Sequence, residues 1–322
     1  MFGKEHQGME IMFRMMNEAR IGVGIQSLGV AANAYQNALA YAKDRVQGSA
    51  VEHFRDADPP RVTINKHPDV RRNLMSMKCT IEAMRSLIYS TANRFDRTEH
   101  GDDSEKEYLL GLVELMTPII KSYCSDRAFD VCVTALQIFG GYGYIGEYPV
   151  EQHVRDCKIT SIYEGTNGIQ AMDLLGRKMR KGQGALFMSW LNEANIELEK
   201  ARATGVLADE VSALERARDQ LGQTAMHLGM VGAQGNLSGA MLQATPFLEL
   251  FGMVVLGLHS VWQARIAHEL LQAGADGADT QFYKGKLANA KFYAKNVLPK
   301  ATALAKIIQG GDESCLEAGL FD

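Results

Sequence analysis

The sequence predicts an all-α protein built as two helical bundles, a longer first half and a shorter second one. Three observations carry this: seven prolines in 322 residues, apolar residues that recur at helical spacing over long stretches, and no segment that alternates with strand period over a useful length. A hydrophobic fraction of 46% supplies enough side chain for a sizeable core.

The first helix is expected from about Gln7 to Arg45, with Met12, Met15, Met16, Ile21, Ile25, Leu28, Ala32, Tyr35 and Leu39 at helical spacing. Gly22, Gly24 and Gly29 inside it cost helix propensity, and so suggest a place where another helix or a ligand comes close. Val46 to Lys66, with Asp58-Pro59-Pro60, reads as a surface loop. A second helix is expected from about His67 to Phe95. Ser104 followed by Glu107 matches a capping box for a third, continuing to about Phe139 with a disturbance at Pro118. Glycines 140, 141 and 143 end it. A short helix after Pro149, a turn at Glu164 and a helix to about Arg180 complete residues 1–182. Gly182-Gln183-Gly184 is the linker candidate. Residues 183–322 should form the second bundle, with helices at about Ala185 to Ala203, Ala208 to Met230, Gly235 to Ala273 and Thr280 to Ile308, joined by short loops.

Composition excludes several function classes. A net charge of −4 with both signs dispersed leaves no basic face for a nucleic acid and no polybasic segment for a membrane. The cysteines at 79, 124, 132, 157 and 315 contain no C-x-x-C pair and suit buried thiols of a reducing cytoplasm. Lys4, Glu5, Glu10 and Arg14 interrupt any signal-peptide core, and the apolar stretch Phe247 to Leu258 reads as too short to span a bilayer. The eight histidines form no H-E-x-x-H or similar pair, so a zinc site is not expected. Gly22-Val23-Gly24 with Gly29 has the wrong spacing for a dinucleotide fingerprint.

Chemistry concentrates between Gln137 and Gln170, QIFGGYGYIGEYPVEQHVRDCKITSIYEGTNGIQ. Gly140-Gly141-Tyr142-Gly143 offers backbone without side-chain bulk among aromatics, a surface on which a flat ligand can lie. Taken alone, it also reads as a glycine helix cap and loop. Glu164, in Tyr163-Glu164-Gly165-Thr166, precedes a helix start, where a carboxylate is favoured whether or not it is catalytic.

The whole segment resembles the C-terminal helical domain of the acyl-CoA dehydrogenase family, and Arg155-Asp156 and Ile162 keep the register of that family's R-D-x-K-I-x-x-I-Y-E-G-T run. The resemblance implies that Glu164 is the catalytic base, that Gln137, Gly140, Gly141 and Thr166 contact FAD, and that Gly165 lies against substrate. Upstream, Asn17-Glu18-Ala19-Arg20 is similar to the family's acyl-CoA-contacting stretch, where an acidic or amide residue and an arginine meet the CoA moiety, which implies substrate contacts for Asn17 and Arg20. Arg45 matches a flavin-contacting arginine, whose guanidinium fork suits a pyrophosphate; from the residue alone, it could equally be a solvated helix-end cation. Two departures stand out: Val46-Gln47-Gly48 replaces a Thr-Phe-Gly-type continuation, and Gly168 replaces a common glutamine. Together with the added helices after Gly184 and the segment 291–306, they resemble the long bacterial branch of the family.

The resemblance further implies an acyl-CoA substrate, an electron-transferring flavoprotein as electron acceptor, and a homo-oligomer with flavin contacts across a subunit interface. It begins at residue 1 and covers the C-terminal portion of a family member, so the N-terminal helical domain and the β domain that covers one flavin face are expected from elsewhere: a longer gene product or a partner subunit. A non-catalytic helical assembly subunit, or a truncated relic, is the competing reading.

Overall fold

The structure is a computed structural model that describes residues 3–53 and 55–320, without the side chains of Glu10, Phe13 and Arg14. Two of the charges expected to interrupt a signal-like core, Glu10 and Arg14, therefore lie outside the described side chains. Among the described residues the protein is almost entirely helical.

Helix α1 (Gly8–Asp44) has 37 residues and is about 55 Å long. Its inner stripe is alanine: Ala31, Ala34, Ala38 and Ala42 are fully buried. Side chains that small let α4 (Cys124–Phe139) run alongside at close range. Of the three glycines expected to mark a close approach, Gly24 does so. A Cβ there would lie 2.2 Å from Cγ2 of Ile120, whereas Gly22 and Gly29 face open space.

The segment after α1 corrects the sequence reading. It holds a small antiparallel hairpin, β1 (Val46–Ser49) with β2 (Arg61–Thr63), pairing Val46 with Thr63 and Ser49 with Arg61 across an irregularity. Strands of three and four residues are too short to display an alternating pattern. The hairpin is pinned to α1 where the Ile64 N–H donates to the Arg45 carbonyl at 2.8 Å.

Helix α2 (Pro68–His100) starts with proline at its first position, where no N–H is needed. Helix α3 (Asp103–Pro118) is capped by Asp102, whose carboxylate accepts from the Ser104 N–H at 2.9 Å. The expected Ser104–Glu107 capping box is thus displaced by a better acceptor two residues earlier. Pro118 does not end the helix. It is followed by a π turn, Ile119–Tyr123, closed by the Cys124 N–H on the Ile119 carbonyl, and the rod continues as α4. Helices α5 (Val150–Lys158) and α6 (Asn167–Asp173) follow, the latter running into a second π turn, Leu174–Lys178. Gly182, Gln183 and Gly184 all have positive φ, and the chain turns there.

Beyond lie α7 (Ala185–Ala203), α8 (Ala208–Ala233), α9 (Leu237–Leu242), α10 (Ala244–Gln272), α11 (Gly277–Asn296) and α12 (Leu298–Gly310). Two expected helices are each split. The Asn236 side chain accepts from the Gly239 N–H and caps α9, with Gln243 breaking the chain before α10. Pro299, within the first turn of α12, cannot continue the hydrogen-bond ladder of α11.

Helix α10 joins the two halves. It packs on α2, α6 and the first π turn on one side and on α7, α8, α11 and α12 on the other, so one apolar core runs through the protein. By length and composition α10 would suffice to cross a membrane, which the stretch Phe247 to Leu258 alone did not suggest; here most of it is sheathed by protein. Its closest approach is at Gly252, where a Cβ would sit 2.2 Å from Cγ of the Tyr123 ring. Tyr293 Oη on α11 locks the same region by donating to the Met253 carbonyl at 3.0 Å.

Gly252→Ala therefore overpacks the centre of the core and is expected to cost about 1–3 kcal/mol. Urea unfolding checks this: a midpoint equal to that of the wild type would refute the close packing of α10 on the π turn.

Candidate functional site

The residues singled out in the sequence fall into two clusters on one long edge of the protein. The first lies at the C-terminal end of α1. Gly140 ends α4 with φ 62° and ψ −140°, a conformation that requires glycine, and added Cβ atoms at Gly140 and Gly141 would meet nothing. This bare backbone borders a hollow of about 490 Å³ lined by Tyr41, Arg45, Phe139, Gly140, Gly141 and Tyr142, among others. The walls are held rigid by stacking of Tyr41 on Phe139, with ring centroids 4.1 Å apart. The Arg45 guanidinium lies 5.2 Å over the Tyr142 ring. Aromatic walls, a bare floor and one cation suit a flat ligand that carries phosphate. Gln137 is exposed one turn earlier on α4 and does not line the hollow.

From there the chain runs back along α1. His153 on α5 meets Asn37 at 3.4 Å, and the Tyr163 hydroxyl donates to Oε1 of Gln26. The second cluster is centred on Glu164, which has φ 56°, a left-handed backbone uncommon for a non-glycine residue. Gly165 follows with φ 90°, and its missing Cβ would lie 2.7 Å from Nε2 of Gln170. Thr166 caps α6, its hydroxyl accepting from the Ile169 N–H at 3.4 Å.

Arg20 fixes this turn from α1. Its side chain is buried, Nε donates to the Glu164 carbonyl at 3.4 Å, and a terminal nitrogen stands 3.9 Å from Asp173. Burial lowers the guanidinium's pKa, opposed by the charges of Asp173 and Glu164. Asn17, one turn earlier, is half-buried. The structure thus brings Arg20, Glu164, Gly165 and Thr166 together. It does not bring them to Arg45, Gly140 and Gly141, because Arg20 and Arg45 are separated by 25 residues of one helix, about 37 Å.

Five residues beneath the turn, Lys121, Ser125, Asp126, Asn167 and Gln170, were not anticipated. Lys121, fully buried on the first π turn, donates to Oδ1 of Asn167 at 2.9 Å. Burial pushes its pKa down to about 8, with the Arg20 charge adding to the shift and Asp126 and Glu164 opposing it. The Asn167 amide in turn donates to Oδ1 of Asp126 at 2.8 Å and to the Ser125 hydroxyl at 3.0 Å. Gln170 is buried with neither amide atom partnered within the described chain. The available signal was a lysine inside the apolar run from Pro118 to Cys124, on a position that helical period turns inward.

Comparison with known proteins gives the arrangement its context. The profile described as acyl-CoA dehydrogenase, C-terminal domain, matches residues 6–179. The chain belongs to the acyl-CoA dehydrogenase family. A second profile, acetyl-CoA dehydrogenase C-terminal like, matches residues 190–318. The chain is 36% identical to the broad-specificity linear acyl-CoA dehydrogenase FadE5 of Mycobacterium tuberculosis, over 98% of this chain and 53% of that protein. It is also 36% identical to the 3-methylmercaptopropionyl-CoA dehydrogenase of Ruegeria pomeroyi, over 99% of this chain and 53% of that protein. The chain therefore spans about half the length of these curated relatives. The fold matches that of an acyl-CoA dehydrogenase from Bacillus anthracis with a TM-score of 0.74 at 20% identity, covering 99% of this chain and 52% of that one.

Glycine is required at Gly165 by both φ and space, but at Gly141 by neither. Gly165→Ala is expected to destabilise by about 1–3 kcal/mol, and Gly141→Ala by less than about 0.5 kcal/mol. Equal denaturation midpoints for the two variants would contradict this geometry.

Proposed function

We propose that the chain is the C-terminal catalytic part of an FAD-dependent acyl-CoA dehydrogenase that converts an acyl-CoA thioester to the 2-enoyl-CoA, with Glu164 as the base. The observation that carries this reading is the backbone of Glu164. A non-glycine residue held at φ 56° costs of order 1–3 kcal/mol and persists only where its surroundings over-determine it. Here the buried Arg20 holds the carbonyl, Thr166 caps the following helix, and the Tyr163 hydroxyl is tied to Gln26.

In this reading the Glu164 carboxylate removes the proton alpha to the thioester, and Arg20 and Asn17 contact the CoA moiety of the substrate. FAD, when bound, would supply the acceptor for the hydride that leaves the beta carbon, with an electron-transferring flavoprotein as the acceptor of its electrons. Gly165 lies against substrate through its backbone, its Cβ side being taken up by Gln170, and Thr166 contacts FAD beside the turn.

The hollow at Arg45 fits the phosphate-bearing part of FAD: Gly140 and Gly141 present bare backbone, and the guanidinium can bind a pyrophosphate through two parallel hydrogen bonds. Gln137, exposed one turn away, would reach the same cofactor from its rim. About 37 Å of helix between Arg45 and Arg20 exceeds the length of an extended FAD molecule, so the two clusters would serve two different cofactors. That supports a homo-oligomer in which Arg45 completes the site of a neighbouring subunit.

In enzyme completed with the N-terminal portion, Glu164→Gln is expected to keep FAD bound and lower turnover at least about 10⁴-fold, since the amide preserves shape and cannot take a proton. Retention of most of the rate would sink the assignment. Arg45→Ala should release FAD. If Arg45 acts across a subunit boundary, random mixing of two inactive variants, Glu164→Gln and Arg45→Ala, restores roughly a quarter of wild-type turnover in a dimer, because each mixed dimer has one intact site. No recovery on mixing would place both clusters in the same site.

A further inference from the structure

Lys121 is a buried charge that the scheme above does not use. It lies on the π turn that follows Pro118, a local widening of the helix of a kind often found at functional positions. Its side chain is entirely buried, and its ammonium donates to a neutral amide, Oδ1 of Asn167, at 2.9 Å. Packing alone does not explain this choice. Burying an ammonium against a neutral acceptor is costly, and an apolar side chain of similar length would fill the space more favourably.

The recipient of that hydrogen bond is what matters. Asn167 is the first residue of α6, directly after the Thr166 cap and three residues after Glu164. Its amide is gripped on both sides, by Lys121 at Oδ1 and by Asp126 and Ser125 at Nδ2. Arg20 holds the carbonyl of Glu164, and the Tyr163 hydroxyl is tied to Gln26. With Asn167 fixed as well, the left-handed turn is clamped before, at and after its strained residue.

We propose that Lys121 is a positioning residue for the Glu164 turn, holding Asn167 from the π turn between α3 and α4 and so fixing where the Glu164 carboxylate points. Asn167 acts as the link, with Asp126 balancing the lysine charge across its amide. The functional half of this proposal rests on the reading of Glu164 as the base; the tether itself does not.

Backbone amide exchange on the 322-residue chain tests the tether directly. Lys121→Met keeps length and removes charge and donor; Asn167→Ala removes the link from the other end and serves if the first variant folds poorly. Either is expected to speed exchange across residues 163–168 by about tenfold or more, while amides of α10 stay within about twofold of the wild type. The double variant should exceed the larger single effect by no more than about twofold, because both substitutions break one connection. Unchanged exchange at the turn, or an equal rise at the turn and in α10, overturns the proposal. In enzyme completed with the N-terminal portion, Lys121→Met should lower kcat about tenfold with KM within about twofold, the signature of misplaced chemistry rather than lost binding. If Glu164→Gln retains turnover, the base assignment fails while the exchange result still decides the tether.

Discussion

The close seating of α10 on the first π turn is the constraint on which the rest of the structure depends. Gly252 lets the backbone of α10 lie flat on the Tyr123 ring, and Tyr293 closes over the same point from α11. The π turn is therefore compressed between the second half of the chain, through Tyr123, and α1, through Ile120 against Gly24. Lys121 lies between these two contacts and reaches the one direction left, toward α6 and the Glu164 turn. The helices after Gly184 are thus mechanically connected to the candidate chemistry.

The electrostatics beneath the turn follow from the same compression. Two cations, Arg20 and Lys121, are buried within reach of one carboxylate turn, and burial pulls both toward their neutral forms. Asp173 and Asp126 oppose that pull from α6 and α4. The Asp126 carboxyl is itself raised by burial, with Asn167 as its main hydrogen-bond relief. The floor of the site is polar and charged in a setting where neither is favoured, a cost the surrounding packing must offset.

Much of this was legible in the sequence, for identifiable reasons. Helical period and scarce proline expose α1, α2 and the α3–α4 rod because each is long enough for the period to repeat many times. Gly140, Gly143 and Gly165 were visible because the backbone at those positions demands glycine. What could not be read was set by contacts distant in sequence. Whether Gly24 or Gly22 marks a close approach depends on which side Ile120 takes, and periodicity says nothing of that. The hairpin at 46–63 is too short to carry a pattern, and Asp102 wins the cap over Ser104 by geometry at a single atom. The separation of Arg45 from Arg20 was in principle available from helix rise, since both lie on α1; recognising residues by motif hides how far apart they stand.

The sheathing of α10 also bears on how the chain is made. Synthesis at about 5–20 residues per second releases α1 to α6 many seconds before α10 leaves the ribosome. During that interval the surface formed by α2 and the π turn waits uncovered. The segment that will cover it then emerges as a long apolar helix, which by composition could be taken for a membrane span. Biogenesis thus depends on a kinetic race: α10 must find the groove prepared by the earlier half before a bilayer, a chaperone or another nascent chain finds α10.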